Sequence, residues 1–187
     1  MQVFQKGVLV KLNWRSCQDA AFMTDTLNAI SSDEVFLQLK ASALPDLDLT
    51  DAPVLVMRKW HSGHQKGMEF RAYVWDGQMT GLQQKDETAH YEQAADEEFK
   101  GLVFGKVKQL VGKVGEALEF NSYILDVYID IAPKHKAWVQ DITPLTAEFF
   151  GDSSLFSIEE VTQPVEECEF RTLGEDSALR PQKAHDN

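Results

Sequence analysis

Residues 122–130 read SYILDVYID and residues 136–143 read KAWVQDIT, two runs rich in β-branched and aromatic residues with Pro133 and Lys134 between them. Such runs joined by a short Pro-containing turn predict a β-hairpin. Folded symmetrically about Pro133-Lys134, the hairpin sets Asp126 directly opposite Asp141. Side chains alternate along a strand, so Thr143 shares the face of Asp141, while Ile124 and Tyr128 flank Asp126. Two carboxylates in cross-strand register repel unless a positive centre lies between them, and a hard divalent cation such as Mg²⁺ prefers oxygen ligands. The alternatives are that one aspartate is a solvated edge residue, or that the register is slipped by one residue and the two never meet.

Upstream, MEFRAYVWDGQMTGLQQKD (68–86) carries Asp76-Gly77, a strong two-residue turn signal, and predicts a second hairpin. Pairing outward from that turn puts Tyr73 opposite Thr80, Arg71 opposite Leu82 and Glu69 opposite Gln84, with Glu69, Arg71 and Gln84 on one face. Between the hairpins, Phe99, Leu102, Val103, Val107, Leu110, Val111, Val114 and Leu118 recur at helical spacing, predicting one long amphipathic helix from about 94 to 118. Its glycines at 101, 105, 112 and 115 weaken it unless close packing explains them. Nearer the start, GVLVKLNW reads as a strand, SCQDAAFMTDTLNAI as a helix, EVFLQLKAS as a second strand and PVLVMRKW as a third. HSGHQKG is a loop. Beyond residue 160 acids are frequent and large apolar side chains few, so a loosely ordered acidic tail is expected over 161–187.

The whole chain has 187 residues, 43% hydrophobic and 26% charged, with 11 Gly and 6 Pro, the profile of a globular protein. Its formal net charge of −12 repels phosphate backbones and anionic membranes. Direct nucleic-acid and membrane binding are therefore not expected; the charge is compatible with a basic protein partner, a metal or plain solubility, and leaves room for a small basic nucleotide pocket. Cys17 and Cys168 belong to no metal or disulfide pattern, and no long apolar run occurs, so a cytoplasmic setting is expected.

Lys11, Lys40, Arg58, Lys59 and Arg71 all fall at expected strand ends, where cations suit a polyphosphate. Ordinary surface solvation is the competing explanation for each. His61 and His64 have a spacing compatible with a metal, but lack a further ligand nearby, and loop polarity accounts for them. The sequence contains no GxxxxGK[ST], GxGxxG or GxSxG motif, which removes the central feature of P-loop, Rossmann and serine-hydrolase folds.

The blocks KLNW (11–14) followed by Asp19-Ala20, VFLQLKAS (35–42), VMRKW (56–60), GMEFRAYV (67–74), GLQQKDETAHY (81–91), LDVYID (125–130) and VQDITP (139–144) resemble, in order, those of the cell-division-cycle 123 family. The resemblance implies an α+β, ATP-grasp-like fold, with antiparallel sheets and flanking helices in two small lobes. The first would span 1–60 in part and the second, with the metal-binding hairpin, 61–160. It implies ATP and Mg²⁺ as ligands, and a role as an assembly factor for eukaryotic translation initiation factor 2 that binds its gamma subunit. Position by position, Lys11 would contact phosphates, Trp14 and Asp19 would shape the same wall, Arg58 would point to the nucleotide from the hinge strand, and Arg71 would meet phosphate oxygens. Asp126 and Asp141 match the metal-binding acids, with Asp126 also beside the nucleotide.

Where the family reads Asp-Phe-Asn-Pro, this chain reads Asp141-Ile142-Thr143-Pro144, so the third metal position offers a hydroxyl in place of an amide oxygen. Arg15 stands where the family has Ser. The chain starts almost at the KLNW block, so a short or amino-terminally truncated member is expected. Two other functions are compatible with the sequence: an ATP-grasp ligase or phosphoryl-transfer enzyme acting on an unknown substrate, or a degenerate protein-interaction module that no longer binds nucleotide.

Overall fold

A computed structural model describes residues 6–23, 26–43, 52–61, 63, 65–130 and 136–174. The chain divides into two compact units, Met1–Gly63 and His64–Asn187.

In the first unit, strands β1 (Val8–Leu12), β2 (Arg15–Ser16) and β3 (Leu55–Lys59) form a sheet of order β2-β1-β3, antiparallel throughout. The β1-β2 turn is made by Asn13-Trp14, with Asn13 at φ 51°, a left-handed conformation that Asn tolerates. Val8 and Val10 point to one face and are buried with Ala29 and Val35, with Leu39 against them. Val35 and Leu39 come from helix α1 (Ser32–Ala41), which occupies the segment expected as a second strand. The reason lies in its start. Ser31 accepts a hydrogen bond from the Glu34 N–H at 3.2 Å, and Glu34 in turn accepts from the Ile30 N–H at 2.7 Å. These two bonds fix a helical first turn that outweighs the strand propensity of Val35 and Phe36. Lys40 accordingly ends a helix and not a strand.

The expected helix over 16–30 is also corrected: residues Gln18–Met23 form a 3₁₀ helix. Ala29 is taken away by a bridge to Val8, with N–H to O distances of 2.8 and 2.9 Å, and Thr26 Oγ1 accepts from the Asn28 N–H. Side-chain bonding of that kind competes with the helix.

The second unit is built on a sheet of order β7-β6-β4-β5-β8, from β4 (Glu69–Trp75), β5 (Gln78–Gln84), β6 (Tyr123–Ile129), β7 (Ala137–Pro144) and β8 (Glu169–Arg171). Both expected hairpins are present. Asp76 and Gly77 have φ 47° and 78°, the doubly positive turn that matches strand twist. The helical stretch begins with the short helix α2 (Glu92–Ala95), breaks at Asp96, and continues as α3 (Glu97–Ala117). Asp96 caps α3 by accepting from the Phe99 N–H at 2.7 Å. Val103, Val107 and Val111 lay the α3 stripe on Phe70, Ala72, Val74, Leu125, Val127 and Ile129, which alternate onto one sheet face. A Cβ at Gly101, Gly105 or Gly112 would meet nothing within 4 Å, so close packing does not account for these three glycines.

The opposite face is apolar at one end. There Tyr73 and Ile124 meet Leu145, Phe150, Phe156 and Val161, the last three contributed by α4 (Ala147–Phe150), its following loop and α5 (Ile158–Val161). The other end of that face is charged.

The expectation of a loosely ordered tail fails over 162–174. β8 pairs in parallel with β5, from Gly81 with Glu169 to Gln83 with Arg171, and Leu173 donates its N–H to Gln84 Oε1 at 3.0 Å. Arg171 ties this segment to α5 through Glu160 at 2.9 Å and lies 4.0 Å over the Phe156 ring. Residues 175–187 lie outside the described residues.

Candidate functional site

The charged end of the face is positioned by two strand irregularities. β6 and β7 pair with Asp126 directly opposite Asp141, as expected. Next to them, Val127 pairs with Val139, so Gln140 is the extra residue of a bulge. Thr143 pairs with Ile124, which keeps Asp141 and Thr143 on one side of the strand. The expected turn residues Pro133 and Lys134 lie outside the described residues. In the other hairpin, Trp75 pairs with Gln78 and Val74 with Met79, but Tyr73 then pairs with Gly81 and Arg71 with Gln83. A bulge at Thr80 shifts the register by one, so Gln83, not Gln84, shares the face of Arg71. Gln84 is turned away and spends its amide on the carbonyls of Asp86 and Ala89.

Asp126 lies at the centre, its side chain only 8% exposed. Arg71 grips it with two parallel bonds, Nε to Oδ1 at 2.8 Å and Nη2 to Oδ2 at 3.0 Å. Lys85 Nζ reaches the same Oδ2 at 3.0 Å and lies 3.8 Å from Glu69 Oε2. Glu69 accepts from Gln140 Nε2 at 3.0 Å, which gives the bulged residue a purpose. Burial alone would raise the Asp126 carboxyl, but the charges of Arg71 and Lys85, with their hydrogen bonds, hold it well below the usual carboxylate range. Burial likewise works against the Arg71 guanidinium, and Asp126 more than reverses it. Beside them, burial pushes the Tyr73 hydroxyl up to about 12. It donates to Gln83 Oε1 at 3.2 Å.

The oxygen donors Asp126, Asp141 and Thr143 suit a hard divalent cation, and the cations Arg71 and Lys85 suit an anion. Among the described residues no three His, Cys, Asp or Glu side chains gather as a metal cage. Mg²⁺ commonly takes only one or two carboxylates and completes its shell with water and substrate phosphates. The residues present therefore fit a metal that arrives with phosphate, and not one held by protein ligands alone. Asp141 Oδ1 also accepts from the neighbouring Ile142 N–H at 3.0 Å, which fixes its direction.

Lys11, Trp14, Asp19 and Arg58 belong to the first unit. Lys11 is buried on β1, and the register of Leu9 with Arg58 places Lys11 and Arg58 on the sheet face opposite Val8 and Val10. Among the described residues the buried Arg58 Nη1 meets no hydrogen-bond partner, a donor of the kind an anion or a base edge would satisfy. Trp14 is half-exposed in the β1-β2 turn. Asp19 has structural duties: its carboxylate accepts from the Ser42 hydroxyl and from the Ala43 N–H, the latter at 2.9 Å, holding the end of α1. His64 lies outside the described residues. Cys17 and Cys168 are free thiols, and no helix among the described residues is long and apolar enough to cross a membrane.

Lys85 was missed in the sequence, although a signal existed. It lies two residues beyond Gln83 on the same strand course, and its N–H continues the ladder to the Glu69 carbonyl at 2.9 Å. Once the bulge is known, alternation alone delivers it to the face of Arg71.

Known proteins resemble this chain along most of its length. A curated relative from Dictyostelium discoideum, named translation initiation factor eIF2 assembly protein, is 25% identical over 219 residues, covering 95% of this chain and 55% of the relative. One of the same name from Danio rerio is 30% identical over 174 residues, covering 83% and 47%. The chain thus spans about half the length of the curated relatives it matches. The solved structure of Cdc123 from Schizosaccharomyces pombe superposes with a TM-score of 0.74 at 26% identity, covering 90% of this chain and 72% of that one. Its mixed α+β fold with antiparallel sheets is the fold found here. With the D123 family model matching residues 1–187 as well, the chain belongs to the D123 family, to which the order of its sequence blocks had pointed.

Proposed function

We propose that this chain is an ATP- and Mg²⁺-binding assembly factor for translation initiation factor eIF2 and that it acts by binding the gamma subunit. The names of the relatives support the eIF2 role. The observation that carries the nucleotide part is the cross-strand pair Asp126 and Asp141 with Arg71 and Lys85 converging on one of them. In this reading Asp126 and Asp141 ligate the metal, with Thr143 as a weaker third oxygen. Arg71 orients Asp126 and keeps N–H groups in reserve for phosphate oxygens, since a guanidinium has five and the carboxylate takes two. Asp126 is ionised at neutral pH, as a metal ligand must be. Lys11, Trp14, Asp19 and Arg58 are proposed as nucleotide contacts from the family resemblance, with the buried Arg58 donor in support.

Two measurements test the proposal. Thermal unfolding with ATP and Mg²⁺ should show added stability of about 2.7 kcal/mol at roughly a hundredfold excess over the dissociation constant, and Asp141→Ala should abolish the gain. A wild-type chain with no gain would refute nucleotide binding. Separately, the chain should retain the gamma subunit of eIF2 in a pull-down, more strongly with ATP and Mg²⁺ than without. No retention under either condition would refute the assembly role.

A further inference from the structure

Asp126 Oδ2 carries two cationic donors, Arg71 Nη2 at 3.0 Å and Lys85 Nζ at 3.0 Å, while Oδ1 carries Arg71 Nε at 2.8 Å. A carboxylate offers about four lone-pair directions, so three are already taken. A divalent cation on Oδ2 would sit about 2.0–2.1 Å from that oxygen. The Lys85 ammonium, on the same oxygen, would then be no more than about 5 Å from it, a strong repulsion in a buried site. The one direction left is on Oδ1, beside the Arg71 Nε bond, so a cation that takes Oδ2 has to displace one of the two donors there.

The chemistry of the two donors decides which. Arg71 is held by a bidentate fork, two charge-assisted bonds with fixed geometry. Lys85 makes a point contact from the end of a flexible stem, is 31% exposed, and has Glu69 Oε2 within 3.8 Å as a second carboxylate. An incoming phosphate would give it a third acceptor.

Resting on the proposed nucleotide site, we infer that Lys85 occupies the metal's place on Asp126 until a phosphate group draws it away. Metal binding is thereby made conditional on nucleotide. Free Mg²⁺ competes with Lys85 and binds poorly. Phosphate oxygens remove the competitor and supply the remaining ligands, so metal and nucleotide each raise the other's affinity by the same factor. Lys85 is a positioning residue here: its contribution is exerted through Asp126.

The test is calorimetric titration of Mn²⁺ alone, and of Mg²⁺ alone, into the wild-type chain and into Lys85→Met. The variant should bind the metal alone about tenfold more tightly, within the range usual for coupled sites, and metal and ATP should lose most of their mutual enhancement. Lys85→Gln removes the charge but keeps a hydrogen-bonding group, and should give the same result if the Met variant folds poorly. Lys66→Met is the control. It removes an equal charge from a 75% exposed side chain that faces Asp86, and should leave metal affinity unchanged. Unchanged metal affinity in Lys85→Met and Lys85→Gln, or equal tightening in Lys66→Met, would overturn the exchange. A wild-type chain that gains no stability with ATP and Mg²⁺ overturns the nucleotide reading itself. One that gains stability, yet shows metal-alone affinity indifferent to Lys85, overturns the exchange alone.

Discussion

Replacing Asp126 by Ala should lower the unfolding free energy by about 3–5 kcal/mol, the usual result of stripping one partner from a buried ion pair. The magnitude follows from what is left behind. Arg71 has its side chain 27% exposed and loses both of its short bonds, so its guanidinium stays in the sheet face with its hydrogen-bonded counter-charge gone and only the weaker field of Glu87 in its place. Lys85 is better placed, because Glu69 lies within 3.8 Å. Set against total stabilities of roughly 5–15 kcal/mol, the loss should be plain as a fall in the urea midpoint. Replacing both partners, Asp126→Leu with Arg71→Met, should recover much of it, since an apolar pair leaves no orphan charge. A single variant with the wild-type midpoint would show that water already screens the pair.

The pH dependence has a definite sign. The folded-state Asp126 carboxyl is held below its unfolded value, so its contribution is complete above the ordinary carboxylate pKa of about 4. It is lost as pH falls from there through the depressed folded value. Other depressed carboxyls, among them Asp86 and Glu160, add to the wild-type acid response. The difference between wild type and Asp126→Ala isolates the one group: largest at neutral pH, shrinking as the solution is acidified below about 4.

The central pair was legible because a hairpin's register follows from its ends, but the agreement has a second cause. The pairs nearer the turn, from Val127 with Val139 to Ile129 with Ala137, are centred on Pro133, half a residue before the assumed centre. The bulge at Gln140 restores the offset at Asp126 and Asp141. In the other hairpin the turn was read correctly from Asp76-Gly77, yet the bulge at Thr80 displaced every pair beyond it. A bulge is chosen by tertiary demands, here Thr80 Oγ1 reaching the Val161 carbonyl at 2.7 Å, and local propensity does not encode that.

Helix α1 departs from the expected strand for a different reason. Val35 and Phe36 have strand propensity, but Ser31 with Glu34 three residues on is a helix-start pattern, and the cap prevails. The tail was judged by composition, which counts charges and ignores their partners. Arg171, meeting Glu160 and Glu169 while covering Phe156, orders an acidic stretch that a count would leave loose. Lys85 was hidden behind the Thr80 bulge, since the unbulged register sends it to the wrong face. The family blocks name individual residues and carry no distances between them. Their mutual geometry needed the fold.

Phe70→Ala should cost about 3–5 kcal/mol, the range for a buried aromatic truncated in a core that closes only in part around the cavity. Phe70 is fully buried on β4 and is the residue at which three elements meet. Its ring stands edge-on to Phe170 of β8, centroids 5.8 Å apart, and 6.2 Å from Phe99 in the first turn of α3. Truncation therefore removes the apolar anchor of a strand that pairs with β5 over only three residues. The damage should be uneven. Hydrogen exchange should speed up first in residues 165–174 and at the start of α3, while the β4-β6 ladder, in which every β6 residue is buried, keeps its protection. Phe22→Ala provides the contrast: at 72% exposure its loss should stay within about 0.5 kcal/mol. Uniform acceleration across the second unit would mean that β8 opens only with global unfolding. A cost near that of Phe22→Ala would mean that β8 does not rest on this ring at all, and that Gln84, Arg171 and the short parallel ladder hold the 162–174 segment without it.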